Sequence, residues 1–251
     1  LIIEAIAEKL EIKADLYSKI SQYINTKAII ASNTSGLSIQ VLSQAIAEDL
    51  RPRFLGLHFF NPPKYVPLVE LIVQSDTNPE IAKEMEVFLV KCLGRVVIHV
   101  KDTANFLANR LGIFAMLATD YHAQRLGLPF DIVDALTGQI MGRPKSATYR
   151  TIDLVGLDVF AAVIENMQSN LPDDPWNHLF NVPSWLKSLL QMGALGAKNK
   201  VGIYKKEKGE ILVWDQLGGL YRPCNTELSE SVQRFVHERD PRKKIKLLTT
   251  S

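Results

Sequence analysis

What most constrains the fold of this chain is a change of texture at Asp102. Before it, short apolar runs alternate with amphipathic helical patterns; after it the pattern is helical alone. Alternation of the first kind belongs to a sheet covered by helices, and the second to a packed set of helices. The spacing predicts strands over Leu1 to Ile6, over Ala28 to Ala31, in "RFLGLHFF", in "VPLVELIV" and in "RVVIHV". It predicts helices near 8–24, 38–48 and 79–93 between them. "KDTANFLANRLGIFAMLATDYHAQRLG" then reads as one long helix, capped at Asp102 or Thr103 and stopped by Gly127. Further helices are expected after Asp131, over 157–170 and from Ser184 to Met192. The predicted organisation is α/β over 1–102, all-α over 103–205, and an extension or linker over 206–251 with "EILVW" as a strand.

Composition excludes several classes of function. Of 251 residues, 47% are apolar, yet no apolar stretch approaches the roughly 18–20 residues that cross a bilayer. A formal charge of +2 argues against a nucleic-acid partner, and Arg242, Lys243, Lys244 and Lys246 read as a solvated tail. With only Cys92 and Cys224 and no CxxC pair, neither a disulfide framework nor a thiolate metal site is indicated. The chain opens directly on the apolar run "LIIEAIAEKL", and a strand there exposes its edge unless others cover it; the expectation is a piece of a longer protein.

The densest chemistry lies in "HFFNPPKYVPLVE", residues 58–70. If the flanking strands pair as an antiparallel hairpin centred on Lys64, His58 and Glu70 stand opposite each other on one face. A carboxylate there fixes the imidazole tautomer and leaves the other ring nitrogen as proton acceptor, which is a general base with its orienter. The competing reading is a core histidine satisfied by a convenient glutamate. A metal site is the poorer alternative, since His99, His122, His178 and His237 show no ligand spacing with His58.

"ASNTSG" follows an apolar strand, so Asn33, Thr34 and Ser35 fall where ligands lie in open α/β sheets. They are equally ordinary turn and cap residues. Glu4 ends the first strand, placed to touch a ribose or to cap a turn. Asn105 and Asn109, four apart, are expected on one face of the long helix, where a buried amide needs a partner. No GxGxxG or Walker loop occurs, so these residues hold no glycine-rich phosphate cradle.

Taken in order, "IIEAIAEKLEIKADLY", "ASNTSGLSI", "RFLGLHFFNPP" with "LVELI", "KDTANFLANRLG", "DLVGLD" and "GAKNKVGIYKK" closely resemble the L-3-hydroxyacyl-CoA dehydrogenases of fatty-acid β-oxidation, over roughly residues 1–205. The resemblance implies the C-terminal part of a Rossmann-type dinucleotide-binding domain followed by a helical 6-phosphogluconate-dehydrogenase-like domain. It implies NAD as cofactor, an acyl-CoA thioester as substrate, and a homodimer formed through the helical domain. By motif, His58 is the base, Glu70 its orienter, and Ser35 and Asn109 the polar residues around the substrate oxygen. Asn33, Ser35 and Asn61 match the cofactor end of the cleft, Glu4 and Lys9 match cofactor contacts, and Lys198 matches a lysine reaching toward the cofactor. The family's glycine fingerprint is expected before Leu1. "MGRPKSATYRTIDLVGLD" and the tail resemble longer bacterial, cytoplasmic members with a fused enoyl-CoA hydratase-like domain. The other class of function considered is a non-catalytic structural or dimerising protein that retains the fold, disfavoured because His58, Glu70, Ser35 and Asn109 occur together.

Overall fold

The computed structural model describes residues 1–249. The chain divides into two compact units, one of residues 1–112 with 169–171, the other of 113–168 with 172 onward.

In the first unit the elements run β1 (Ile2–Glu4), α1 (Leu10–Ile20), β2 (Ile30–Ser32), α2 (Ile39–Ser43), β3 (Phe54–Phe59), β4 (Leu68–Ile72), α3 (Pro79–Lys91) and β5 (Val96–Val100). The sheet has the order β1-β2-β3-β4-β5. Its first three strands are parallel, β4 is antiparallel to β3, and β5 is parallel to β4. Successive strand residues point to opposite faces. Ile30, Phe54 and Ile72 therefore join Tyr17, Ile39 and Leu42 in one core, while Ala31, Leu55, Leu57 and Leu71 join Ile81, Met85 and Leu89 in another.

His58 has the parity of Phe54, and Glu70 that of Ile72, so both belong to the first of these faces. Gly56 lies between Phe54 and His58, where an added Cβ would meet the Ile39 side chain at 2.8 Å and the Ile72 Cβ at 3.0 Å. Gly56→Ala is accordingly expected to destabilise the protein by about 1–3 kcal/mol, read from urea unfolding.

The long helix begins later than its pattern suggests. Residues 104–107 are turns, with Asn105 and Phe106 at φ 58° and 50°, and α4 spans Ala108–Arg125. Asn105 is thus off the helix and does not share a face with Asn109. Asp102 caps a different helix: its carboxylate accepts from the Ser38 hydroxyl and from the Ile39 and Gln40 amides at the start of α2. Phe106 is buried in the first unit's core.

The second unit continues with α5 (Phe130–Thr137), α6 (Tyr149–Val155), α7 (Leu157–Asn170) and α8 (Ser184–Gln191). A three-stranded antiparallel sheet follows, β6 (Tyr204–Glu207), β7 (Glu210–Asp215) and β8 (Leu220–Pro223), and then α9 (Glu230–His237) and α10 (Pro241–Thr249). The stretch "ATYRTIDLV" contains α6, which the spacing does not predict, while the expected strand "EILVW" is β7 of a small sheet that is bound into the unit. Arg222 donates twice to the buried Asp131, and the Tyr204 hydroxyl donates to Asp134, which also takes the Thr148, Tyr149 and Arg150 amides. Thr250 and Ser251, the end of the expected extension, lie outside the described residues. Among the described residues no helix is long and apolar enough to cross a membrane.

Candidate active site

β3 and β4 pair in the register that a turn centred on Lys64 requires, with His58 opposite Glu70. His58 Nδ1 and Glu70 Oε2 are 2.6 Å apart, and the residues are 3% and 0% exposed. Because an ionised carboxylate only accepts, the contact assigns the imidazole proton to Nδ1 and the lone pair to Nε2. Nε2 has no hydrogen bond among the described residues, and it is not sealed from solvent. Phe60 and Phe106 flank the ring, with centroids 4.4 and 5.8 Å away.

The second oxygen of Glu70 has its own task. Oε1 accepts from the Leu107 amide at 3.0 Å and the Ala108 amide at 2.7 Å, at the very start of α4. Helix N-termini carry unpaired amides and a partial positive charge, so the site favours an anion. One carboxylate thus orients His58 and anchors the first turn that carries Asn109. The Asn109 amide in turn donates to the Ser35 carbonyl at 3.3 Å.

The turn after β2 closes the arrangement. Asn33 accepts the Phe59 amide at 3.0 Å, tying the end of β2 to the end of β3 beside His58. Gly36 leaves room for the buried Asn105 side chain, whose Oδ1 would lie 2.5 Å from an added Cβ. The Thr34 hydroxyl and the Ser35 and Gly36 amides converge on one oxygen of Glu8. His58, Glu70, Ser35, Asn33 and Asn109 therefore come together.

The other expected residues fall differently. Asn61 is exposed in the turn after β3, and Lys9 is exposed at the start of α1. Lys198 belongs to the second unit, where its ammonium pairs with Asp158. Glu4 is 4% exposed and fully engaged: it takes the Lys13 ammonium at 2.6 Å, the Tyr17 and Ser32 hydroxyls at 2.9 and 2.7 Å, and the Ile6 amide at 2.7 Å. Burial pushes its carboxyl up, but the hydrogen bonds from Lys13, Ser32, Ile6 and Tyr17 outweigh that and hold it below its ordinary value. Its geometry is that of a structural acid facing inward. Glu8, Phe60 and Phe106 were not foreseen. Only Phe106 carried a signal, as a large apolar residue beside the predicted Asn105.

The carboxyl ends of β1 and β2 are where a dinucleotide lies in folds of this kind. No glycine-rich phosphate turn is among these residues.

Comparison with known proteins agrees with this architecture. Residues 1–103 match the NAD binding domain of 3-hydroxyacyl-CoA dehydrogenase, and residues 106–206 match its C-terminal domain. The chain is 37% identical to a probable 3-hydroxyacyl-CoA dehydrogenase of Bacillus subtilis over 100% of its own length and 32% of that protein's. It is 39% identical to a probable 3-hydroxyacyl-CoA dehydrogenase of Deinococcus radiodurans, over 83% of this chain and 60% of the relative. The crystal structure of FadB2 of M. tuberculosis superposes with a TM-score of 0.74 at 29% identity, over 82% of this chain and 70% of that one. A Rossmann-type sheet followed by a helical unit, each matched by its own domain model, defines a dehydrogenase-type domain pair. The chain belongs to the 3-hydroxyacyl-CoA dehydrogenase family. It spans about a third of the length of the Bacillus relative and three fifths of that of the Deinococcus relative.

Proposed function

We propose that the protein to which this chain belongs oxidises L-3-hydroxyacyl-CoA to 3-ketoacyl-CoA with NAD⁺, in fatty-acid β-oxidation. The observation that carries this reading is the buried His58–Glu70 pair, with Nε2 left as the free acceptor. When bound, the nicotinamide supplies the acceptor for the hydride that leaves C3. Nε2 of His58 takes the proton of the C3 hydroxyl, so that the C–H electron pair departs as hydride while C3 becomes a carbonyl. The imidazolium formed is met across the ring by the Glu70 carboxylate, whose other oxygen the α4 amides hold in place. Asn109 and Ser35 orient the substrate oxygen toward Nε2.

Asn33 and Asn61 line the nicotinamide end, and Lys9 and Lys198 contact the cofactor. Glu4 serves the cofactor indirectly, by holding the end of β1 in place. A cytoplasmic homodimer formed through the helical domain, with a fused hydratase-like domain, completes the proposal. In the whole protein, NADH formation from L-3-hydroxybutyryl-CoA, with the D enantiomer turned over at least about a hundredfold more slowly, is the expected result. Equal rates for the two enantiomers, or none for either, contradict it.

A further inference from the structure

The second unit contains an open cavity of about 580 Å³ that the dehydrogenase reading does not use. Its size falls within the range of small-molecule sites, roughly 300–1,000 Å³. α6 with the residues just ahead of it, the backbone at Gly196 and Ala197 with Lys200, and strands β6 and β7 form its walls.

Two chemistries meet there. One wall is aliphatic: Leu154 and Ile211 are 66% and 47% exposed, although both line a concave surface. Clustered apolar side chains left open in a concavity mark a place that something apolar covers. The other part is cationic, with Lys145, Lys200 and Lys206 lining the cavity and exposed. Among the described residues, none of these three lies in an ion pair. The neighbouring cations, by contrast, are engaged: Lys205 pairs with Glu207, and the Arg150 guanidinium covers the Tyr204 ring at 3.9 Å.

The carboxylate in the lining, Asp153, does not balance the lysines. Its oxygens accept the Ile203 and Tyr204 amides, and among the described residues it forms no ion pair with any of the three lysines. Backbone in the left-handed region shapes both flanks, at Ala147 (φ 50°) beside Ser146 and at Lys200 itself (φ 65°). Non-glycine residues hold that conformation only where the surrounding fold imposes it. The lysine at 200 is therefore set on the rim by its backbone.

We propose that this cavity binds a free medium-chain aliphatic carboxylate, its chain lying on Leu154 and Ile211 and its head group held by Lys145, Lys200 and Lys206. An aliphatic wall and ammonium groups without counter-charges call for a ligand with both features. A nucleotide base fits less well, because the aromatic ring in the wall, Tyr204, is buried beneath Arg150. The site is separate in its residues from His58 and Glu70 and does not depend on the dehydrogenase reading.

Calorimetric titration of the protein with decanoate, below its micellar concentration, tests this. One saturable site is expected, with decanol, which lacks the charge, and acetate, which lacks the chain, each bound at least about tenfold more weakly. The combined variant Lys145→Gln, Lys200→Asn, Lys206→Gln is expected to raise Kd about tenfold or more and to abolish most of its salt dependence. Asn is used at 200 because it tolerates a positive φ. Leu154→Ser, tested alone, is expected to weaken decanoate and leave acetate unchanged. Absence of saturable binding, or an unaltered Kd in either variant, overturns the proposal.

Discussion

Glu70→Gln in the whole protein is expected to lower kcat by a factor on the order of 10³–10⁴ with little change in KM, while the fold survives. The reason lies in the two jobs of the carboxylate. An amide keeps one acceptor and gains one donor, and the two α4 amides require an acceptor at Oε1. The new NH₂ must then face His58 Nδ1, which moves the imidazole proton to Nε2 and removes the lone pair that accepts the substrate proton. Steady-state kinetics beside a thermal melt separate this outcome from unfolding. A kcat within about tenfold of the native value refutes the orienting role.

The largest effect on stability is expected at Glu4. Glu4→Ala removes the nearer counter-charge of Lys13, which is 1% exposed, together with the acceptor of two hydroxyls and an amide. Breaking a buried pair from one side costs about 3–5 kcal/mol where the charge is left unpaired; Lys13 keeps the half-exposed Glu8 carboxylate at 3.4 Å, so the expected loss is about 2–4 kcal/mol. The sign with pH follows from the lowered value of the carboxyl. A depressed carboxyl pKa gives stability that is fully present above the unfolded-state value and lost as pH falls through the folded one. The gap between native protein and Glu4→Ala is therefore expected to narrow on acidification below about pH 4. Chemical denaturation at several pH values checks it, and a loss below about 1 kcal/mol at neutral pH places Glu4 outside the core network.

These two carboxylates also mark what the sequence made legible. His58 and Glu70 were readable because a hairpin's register is arithmetic: residues equidistant from the turn face each other, and the alternation of strand side chains does the rest. Glu4 was recognisable as an acid at a strand end, but its direction was not. The partners that turn it inward, Lys13 and Tyr17, lie four apart on α1, and nothing in an amphipathic pattern says that a lysine faces the core.

The start of α4 escaped for a related reason. Residues 103–107 have helical spacing, yet Asn105 and Phe106 adopt left-handed backbone so that Phe106 enters the first unit's core. Asp102, read as the cap of its own helix, instead caps α2, a contact between residues more than sixty apart. Of the β6–β8 sheet only β7 was readable, as "EILVW"; "YKKE" lacks apolar alternation. Tertiary pairs such as Asp131 with Arg222 hold the sheet in the unit. In each case a side-chain contact distant in sequence overrode a local pattern.

The central claim is that His58 is the base of a 3-hydroxyacyl-CoA oxidation. Comparing NADH formation from L-3-hydroxybutyryl-CoA by the whole protein and by its His58→Ala variant tests it most directly. The account predicts a fall in kcat of at least about 10³-fold with the fold intact. A His58→Ala protein that forms NADH at an undiminished rate contradicts it.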